Sequence, residues 1–265
     1  MTPPLVDIGL NLGHRRFDSD RAEVIERALE AGVTRMILTG TDVAESEAMV
    51  ALAASRPGVF WSTAGVHPHD ASTCDGQTLP TLRTLAQRAE VVAIGECGLD
   101  FNRDFSPRVE QERWFEAQIG LALELDLPLF LHERDATTRF LEIVDRFRDP
   151  RPRGVVHCFT GDRDALEAYL ERGFYIGVTG WVCDERRGSD LQALVAHIPL
   201  DRLLIETDAP YLPPRDIRPR VKRNEPAHLP HIAAVVARHA GVSPLELAEA
   251  TSRNASLLFA LAGLR

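Results

Sequence analysis

Glu96, His132, His157 and Asp208 each sit at or just beyond the end of a short apolar run, in the phrases VVAIGECGLD, LPLFLHERD, GVVHCFTG and LLIETDAP. Imidazoles and carboxylates in this mixture hold a divalent cation while leaving positions open for water and substrate. The quartet therefore points to metal-assisted hydrolysis. Glu96, His132 and His157 are assigned as metal ligands. Asp208 is a fourth ligand, or the base that deprotonates the attacking water, or both, so Glu96 and Asp208 are the expected catalytic carboxylates.

A second tier of residues surrounds these four. Glu206 lies two residues before Asp208 and should share its face, as a hydrogen-bond acceptor that orients a ligand. Asp7, Gly9 and Asn11 alternate onto one face of the first apolar run, which gives Asp7 and Asn11 the same supporting role. His67 and His69, in VHPHD, are placed to contact phosphate or to protonate a leaving oxygen. Arg134 either clamps phosphate with its planar fork or interacts with a helix end, and the same alternatives cover Arg186 and Arg187 in GWVCDERRG. The stretch PPRDIRPRVKRNEP gathers Arg215, Arg218, Arg220, Lys222 and Arg223 just after Asp208. It reads either as a solvated loop or as a grip on a polyanion, with Lys222 and Arg223 as candidate nucleic-acid contacts. Trp181 is the best available stacking surface for an unpaired base, unless it is core.

The elements that must position these groups are eight apolar, β-branched-rich runs at 5–12, 34–40, 59–66, 91–96, 127–132, 154–158, 174–178 and 202–206. Continuous apolar runs read as strands covered on both faces, and helical spacing recurs between most of them, for instance at 21–31, 45–54, 109–125 and 165–172. Strands alternating with helices pair in parallel, and the count of eight favours closure into a TIM (β/α)8 barrel, with its chemistry at the strands' carboxyl ends, over an open doubly wound sheet. One domain over residues 1–265 is expected. A final helix is predicted over 244–261, opened by Ser243 as N-cap with Glu246 three residues later. If Glu96 and His157 point inward, alternation turns Cys97 and Cys158 outward as small buried hydrophobes.

Composition sets the limits. With 45% hydrophobic and 26% charged residues, the 265-residue chain has the make-up of an ordinary globular protein, and no run approaches the roughly 20 apolar residues of a membrane span. The first residues lack the pattern of a secretory leader, so a cytoplasmic location is expected, as a monomer. Cys74, Cys97, Cys158 and Cys183 are far apart and form no C-x-x-C pair, which suggests neither a disulfide framework nor a thiolate zinc site. A net charge of −9 disfavours a polyanionic partner at long range, so any such partner must be met by a local basic cluster.

The phrases DIGLNL, GTDVAES, STAGVHPHD, VVAIGECGLDFNRDFS, VHCFTG, YIGVTGWVCDERRG, LLIETDAPYLPPRD and KRNEPAHLPHI cover nearly the whole chain. Together they resemble the TatD family of metal-dependent deoxyribonucleases, within the wider amidohydrolase-like barrels. The resemblance implies a phosphodiesterase using Mg²⁺, or another divalent cation such as Mn²⁺ or Zn²⁺, with 3′ to 5′ exonuclease action on single-stranded DNA or RNA, in DNA repair or nucleic-acid turnover. The family's metal pattern falls here on Glu96, His132, His157 and Asp208. Many members carry an H-x-H pair on the first strand, where this chain has Gly9 and Asn11, so one tightly held ion is expected. Lys222 is the only lysine, and no lysine on a strand is available to bridge metals after carboxylation. The competing reading is a metal-dependent amide or ester hydrolase, such as a D-aminoacyl-tRNA deacylase. A nucleic-acid-binding protein with a vestigial site is the third.

Overall fold

A computed structural model describes residues 4–261. The strands are β1 (Leu5–Leu10), β2 (Val33–Leu38), β3 (Phe60–Ala64), β4 (Val91–Asp100), β5 (Leu129–Arg134), β6 (Gly154–Val156), β7 (Tyr175–Val178) and β8 (Leu203–Ile205). They form one eight-stranded sheet in the order β1-β2-β3-β4-β5-β6-β7-β8. Every residue of β1, β3 and β4 is buried, which is why these segments read as unbroken apolar runs rather than alternating ones. Helices follow the strands: α1 (Arg21–Glu30), α2 (Val43–Ala54), α3 (Thr78–Leu85), α4 (Arg108–Glu124), α5 (Thr137–Val144), α6 (Arg163–Glu171), α7 (Ser189–Val195), α8 (Leu229–Ala240) and α9 (Pro244–Leu258). Packing divides the chain into two compact units, Met1–Leu38 with Cys158–Arg265, and Thr39–His157.

Within the first unit β1 pairs with β2 and β7 with β8, both in parallel. β1 also meets the segment leaving β8: Asp208 N–H donates to Gly9 O at 2.9 Å and Asn11 N–H to Ala209 O at 2.7 Å. The terminal helix α9 packs on α8, β8 and β1. Its capping box forms as expected, with Glu246 N–H on Ser243 Oγ and Ser243 N–H on Glu246 Oε2. Asn254, buried on α9, donates to Leu200 O and Leu203 O at 2.9 Å each, which ties the helix to the start of β8.

Within the second unit β3, β4, β5 and β6 pair in parallel in sequence order. Two buried glutamines of α4 hold the rim of this sheet. Gln118 exchanges hydrogen bonds with the backbone of Val66 at 2.8 and 3.0 Å. Gln111 accepts from Asp100 N–H at 2.9 Å and donates to the carbonyls of Asp100 and Ser106. Each satisfies backbone groups that would otherwise be buried without partners, at a cost of about 1–3 kcal/mol apiece.

The structure departs from expectation at strand ends. β6 and β8 stop at Val156 and Ile205, so Cys158, Glu206 and Asp208 lie beyond them and alternation does not govern their direction. Cys158 adopts a left-handed backbone at φ 47° and is only part-buried, with Sγ 3.8 Å from Thr179 Oγ1, rather than turned into a helix layer. Cys97 is fully buried, as alternation implied. β4 runs past the expected end at Glu96, to Asp100.

Candidate active site

Glu96 is the centre of the rim of the second unit. Its Oε1 receives His157 Nε2 at 2.8 Å, His132 Nδ1 at 2.9 Å and His67 Nε2 at 3.2 Å. The strands explain the convergence. Glu96 sits at a register shift between Gly95 and Cys97, the kind of local break in a ladder that re-aims a side chain at a strand's end. His132 comes up the neighbouring β5, paired with Gly98, and His157 follows β6. Glycine is required at 98: its φ is +147°, and a Cβ there would strike the His132 carbonyl.

Asp100, at the far end of β4, extends the cluster. Its Oδ2 meets His69 Nε2 at 2.7 Å and His132 Nε2 at 3.3 Å, so the His132 ring bridges two carboxylates. Asp100 was not among the residues chosen from sequence. The signal was present in GECGLD, where an Asp stands four residues after the Glu, but it required the strand to continue past Glu96.

His67 and His69, expected as phosphate contacts, flank the start of the 3-10 turn Pro68–Thr73 and are drawn into this cluster. His69 N–H donates to His67 Nδ1 at 3.1 Å. A neutral ring that accepts at Nδ1 carries its proton on Nε2, the atom facing Glu96. His67 is therefore a donor to the carboxylate, while the His132 ring lies between Glu96 at Nδ1 and Asp100 at Nε2. Phe105, 67% exposed in the loop after β4, lies edge-on to the His69 ring at 4.7 Å between centroids.

The electrostatics follow from burial and proximity. Burial pushes Glu96 upward, but His157, His67 and the His132 hydrogen bond hold its carboxyl well below the usual carboxylate range. Asp100 resists the same burial through hydrogen bonds from His132, His69 and Arg103 N–H, and is likewise held down. Burial lowers His67 to about 4, leaving it neutral at physiological pH. For His132, burial is outweighed by Asp100 and Glu96, which raise it.

A metal fits this donor set on chemical grounds. His67, Glu96 and His132 bring one donor atom each within 4.8 Å of one another, and His157 Nε2 reaches the same carboxylate oxygen. A buried carboxylate ringed by imidazole nitrogens can hold a divalent cation.

The first unit holds the remaining expected residues in a group of its own. Asp208, at φ 51°, accepts from Asn11 Nδ2 at 3.0 Å. Asp7, fully buried, receives Thr207 N–H at 2.9 Å and Thr207 Oγ1 at 2.5 Å. Burial drives Asp7 up to about 7, with Glu206 adding to the rise against the Thr207 hydrogen bonds. Glu206 Oε1 accepts from Cys158 N–H at 2.6 Å.

The candidate phosphate contacts are dispersed. Arg134 ends β5, half-buried, its carbonyl accepting from Phe101 N–H. Arg186 and Arg187 are exposed, and the Arg187 carbonyl receives Trp181 Nε1–H at 3.1 Å, a bond that fixes the loop with the indole. Lys222 is exposed. Arg223 is engaged elsewhere: its guanidinium donates twice to Asp20 at 2.7 Å, donates to the Arg16 carbonyl, and lies over the Phe17 ring.

Residues 6–260 match the family model described as TatD related DNase. The chain belongs to that family. Among relatives of the TatD DNase family, a 3'-5' ssDNA/RNA exonuclease TatD from Pantoea vagans is 54% identical over 260 residues, covering 97% of this chain and 100% of the relative. Its namesake from Cronobacter sakazakii is 55% identical over 257 residues, covering 96% and 97%. A solved TatD homologue from Escherichia coli K12 has a TM-score of 0.88 at 29% identity, covering 97% of this chain and 98% of that one. An organophosphorus hydrolase from Deinococcus radiodurans, with a TM-score of 0.62 at 15% identity over 96% and 92%, shares the fold alone. The fold class is the amidohydrolase-like (β/α)8 barrel, and membership of the TatD DNase family makes the chain a hydrolase of the nuclease class. No helix among the described residues is long and apolar enough to cross a membrane.

Proposed function

We propose that this chain is a metal-dependent exonuclease that removes nucleotides from the 3′ end of single-stranded DNA or RNA, working as a single barrel domain and as a monomer in the cytoplasm, in DNA repair or nucleic-acid turnover. The observation that carries it is the convergence of three imidazoles on the buried Glu96 carboxylate, in a chain matched end to end by relatives of that name. The family match over residues 6–260 supports the single domain.

Glu96, His132 and His157 would hold the ion, with Asp208 as a further ligand or as the base; Mg²⁺ is the proposed metal, with Mn²⁺ or Zn²⁺ as substitutes. When bound, the ion supplies charge neutralisation at the phosphoryl group and acidifies water. The chain's own residues do the rest. Asn11 fixes the Asp208 carboxylate through its amide, which suits a group that must take a proton from water in one orientation. Asp100 orients both His69 and His132, the outer carboxylate that sets a ligating imidazole's tautomer. His67, neutral at physiological pH, keeps its Nε2 proton and presents it toward the reacting centre as a hydrogen-bond donor to the carboxylate or to a phosphoryl oxygen. Phe105 offers an exposed ring against His69 on which an unpaired base can stack. Arg134, Arg186, Arg187 and Lys222 are proposed contacts to phosphate; Arg223 is left out because Asp20 already holds it.

The test is digestion of 3′- and 5′-labelled single-stranded oligonucleotides with Mg²⁺ or EDTA, beside Glu96→Ala. Stepwise loss from the 3′ end that needs both metal and Glu96 is expected. Absence of cleavage by metal-loaded protein would end the nuclease reading and direct assays to amide and ester substrates.

A further inference from the structure

Cys183, Asp216 and His231 bring a thiol, a carboxylate and an imidazole together from three separate segments, one donor atom of each within 4.8 Å of the others. Cys183 closes the 3-10 turn Gly180–Cys183 that follows β7. Asp216 lies in the irregular stretch between β8 and the turn Pro226–His228, and His231 is in the first turn of α8. Packing fixes their approach. A Cβ on Gly180 would sit 2.4 Å from the Leu212 carbonyl, so only glycine lets the turn lie flush against the loop, with Ile232 of α8 and Pro214 at 3.4 and 3.5 Å from the same point. Asp216 Oδ1 holds His231 Nε2 at 2.8 Å. Cys183 is 1% exposed, while the Asp216 and His231 side chains keep 26% and 37% of their surface, which gives an ion a way in.

We propose that Cys183, Asp216 and His231 bind a divalent ion of the zinc class, which staples the arginine-bearing loop after β8 to the 3-10 turn and to α8. A thiolate, an imidazole and one carboxylate suit borderline-soft Zn²⁺, and the thiolate is a donor that the nitrogen and oxygen groups around Glu96 do not offer. Sequence spacing hid the set, since its members lie 33 and 15 residues apart rather than in a C-x-x-C pair. The loop has neither strand nor helix between Ile205 and Pro226 and carries Arg215, Arg218, Arg220 and Lys222. An ion at Asp216 would tether its middle and so set where that positive charge is presented. Three protein donors leave a fourth position to water.

The test is titration of the metal-stripped full chain with Co²⁺, followed by the near-ultraviolet thiolate-to-cobalt charge-transfer band. One equivalent of Co²⁺ should raise the band, Cys183→Ser should abolish it, and His231→Asn should weaken binding by about 10-fold or more. Glu96→Gln should leave the band intact, which separates this centre from the nuclease reading. No band in the native chain, or a band that survives Cys183→Ser, would overturn the proposal. Should Cys183→Ser fail to fold, an unchanged Co²⁺ affinity in His231→Asn overturns it equally. Trypsin cleavage in the 215–223 stretch should slow on loading with Zn²⁺; an unaltered rate would remove the stapling role.

Discussion

Around Glu96 the ionisable groups are buried and share one another: three imidazoles meet one carboxylate oxygen, and His132 bridges to a second carboxylate at Asp100. In the stretch between β8 and Pro226 the basic groups are numerous, mostly exposed, and either unconstrained, as at Lys222, or spent on the protein itself, as at Arg223. The contrast teaches that residue type near a strand end foretells which groups the fold brings together better than charge density foretells which groups stay available to a ligand. A buried carboxylate must be matched by the fold, whereas an exposed arginine has many partners available at little cost.

The largest expected effect tests the buried side. Glu96→Gln keeps the shape but removes the charge on which the imidazoles converge, and oligonucleotide turnover should fall by more than about 10²-fold with the unfolding midpoint little changed. Near-normal turnover would place the reaction centre elsewhere. Asp100→Asn comes next. It touches His132 and His69 rather than the proposed ion, so activity or metal affinity should drop roughly 10- to 100-fold, the usual range for an orienting carboxylate. A deficit that added Mg²⁺ cannot narrow and a pH profile that stays put would reduce Asp100 to packing.

Phe105 sits at the border of the two regimes, exposed like the loop but in contact with His69. Its replacement by Ala should raise KM about 10-fold with kcat nearly unchanged, in line with base stacking worth about 1–3 kcal/mol. An effect on kcat alone would mean that Phe105 supports His69 instead of the substrate.

The legibility of the chain follows the same division. All eight strands were readable because each is an apolar run covered on both faces, and α1, α2, α4 and α6 because their helical spacing is clear. The short α3, α5 and α7 offer two turns or so of pattern, and α8, LPHIAAVVARHA, is apolar nearly all round its first two turns. Of the candidate site, Glu96, His132 and His157 were readable as strand-end residues and meet in space. Asp100 was missed because the apolar run reads as ending at Glu96, four residues before it, and the place of His67 beside Glu96 was not legible because a hydrogen bond from His69 N–H, which aims its ring, leaves no trace in spacing. Arg223 looked like its neighbours Arg218 and Arg220; only tertiary contact with Asp20, more than two hundred residues earlier, distinguishes it.

That distinction gives the finest tests. Neutralising Arg218 and Lys222 together should weaken oligonucleotide binding and lower the salt slope by roughly one unit for each phosphate they no longer neutralise; an unaltered slope would return the loop to plain solvation. Arg223→Gln should leave the slope alone and act on stability. Its hydrogen bonds to Asp20, aided by Arg27, hold that carboxyl down to about 2 from an ordinary 3.8. A carboxyl depressed in the folded state contributes stability that is fully present above 3.8 and is lost as pH falls through about 2. Because the Asp20 side chain keeps 31% of its surface, screening limits the contribution to about 1 kcal/mol. Denaturant unfolding of Arg223→Gln should therefore show a deficit of that size near neutrality that narrows across the acid window. A deficit independent of pH would assign the residue's worth to its packing over Phe17 instead, and a changed salt slope would put Arg223 back among the residues that touch nucleic acid.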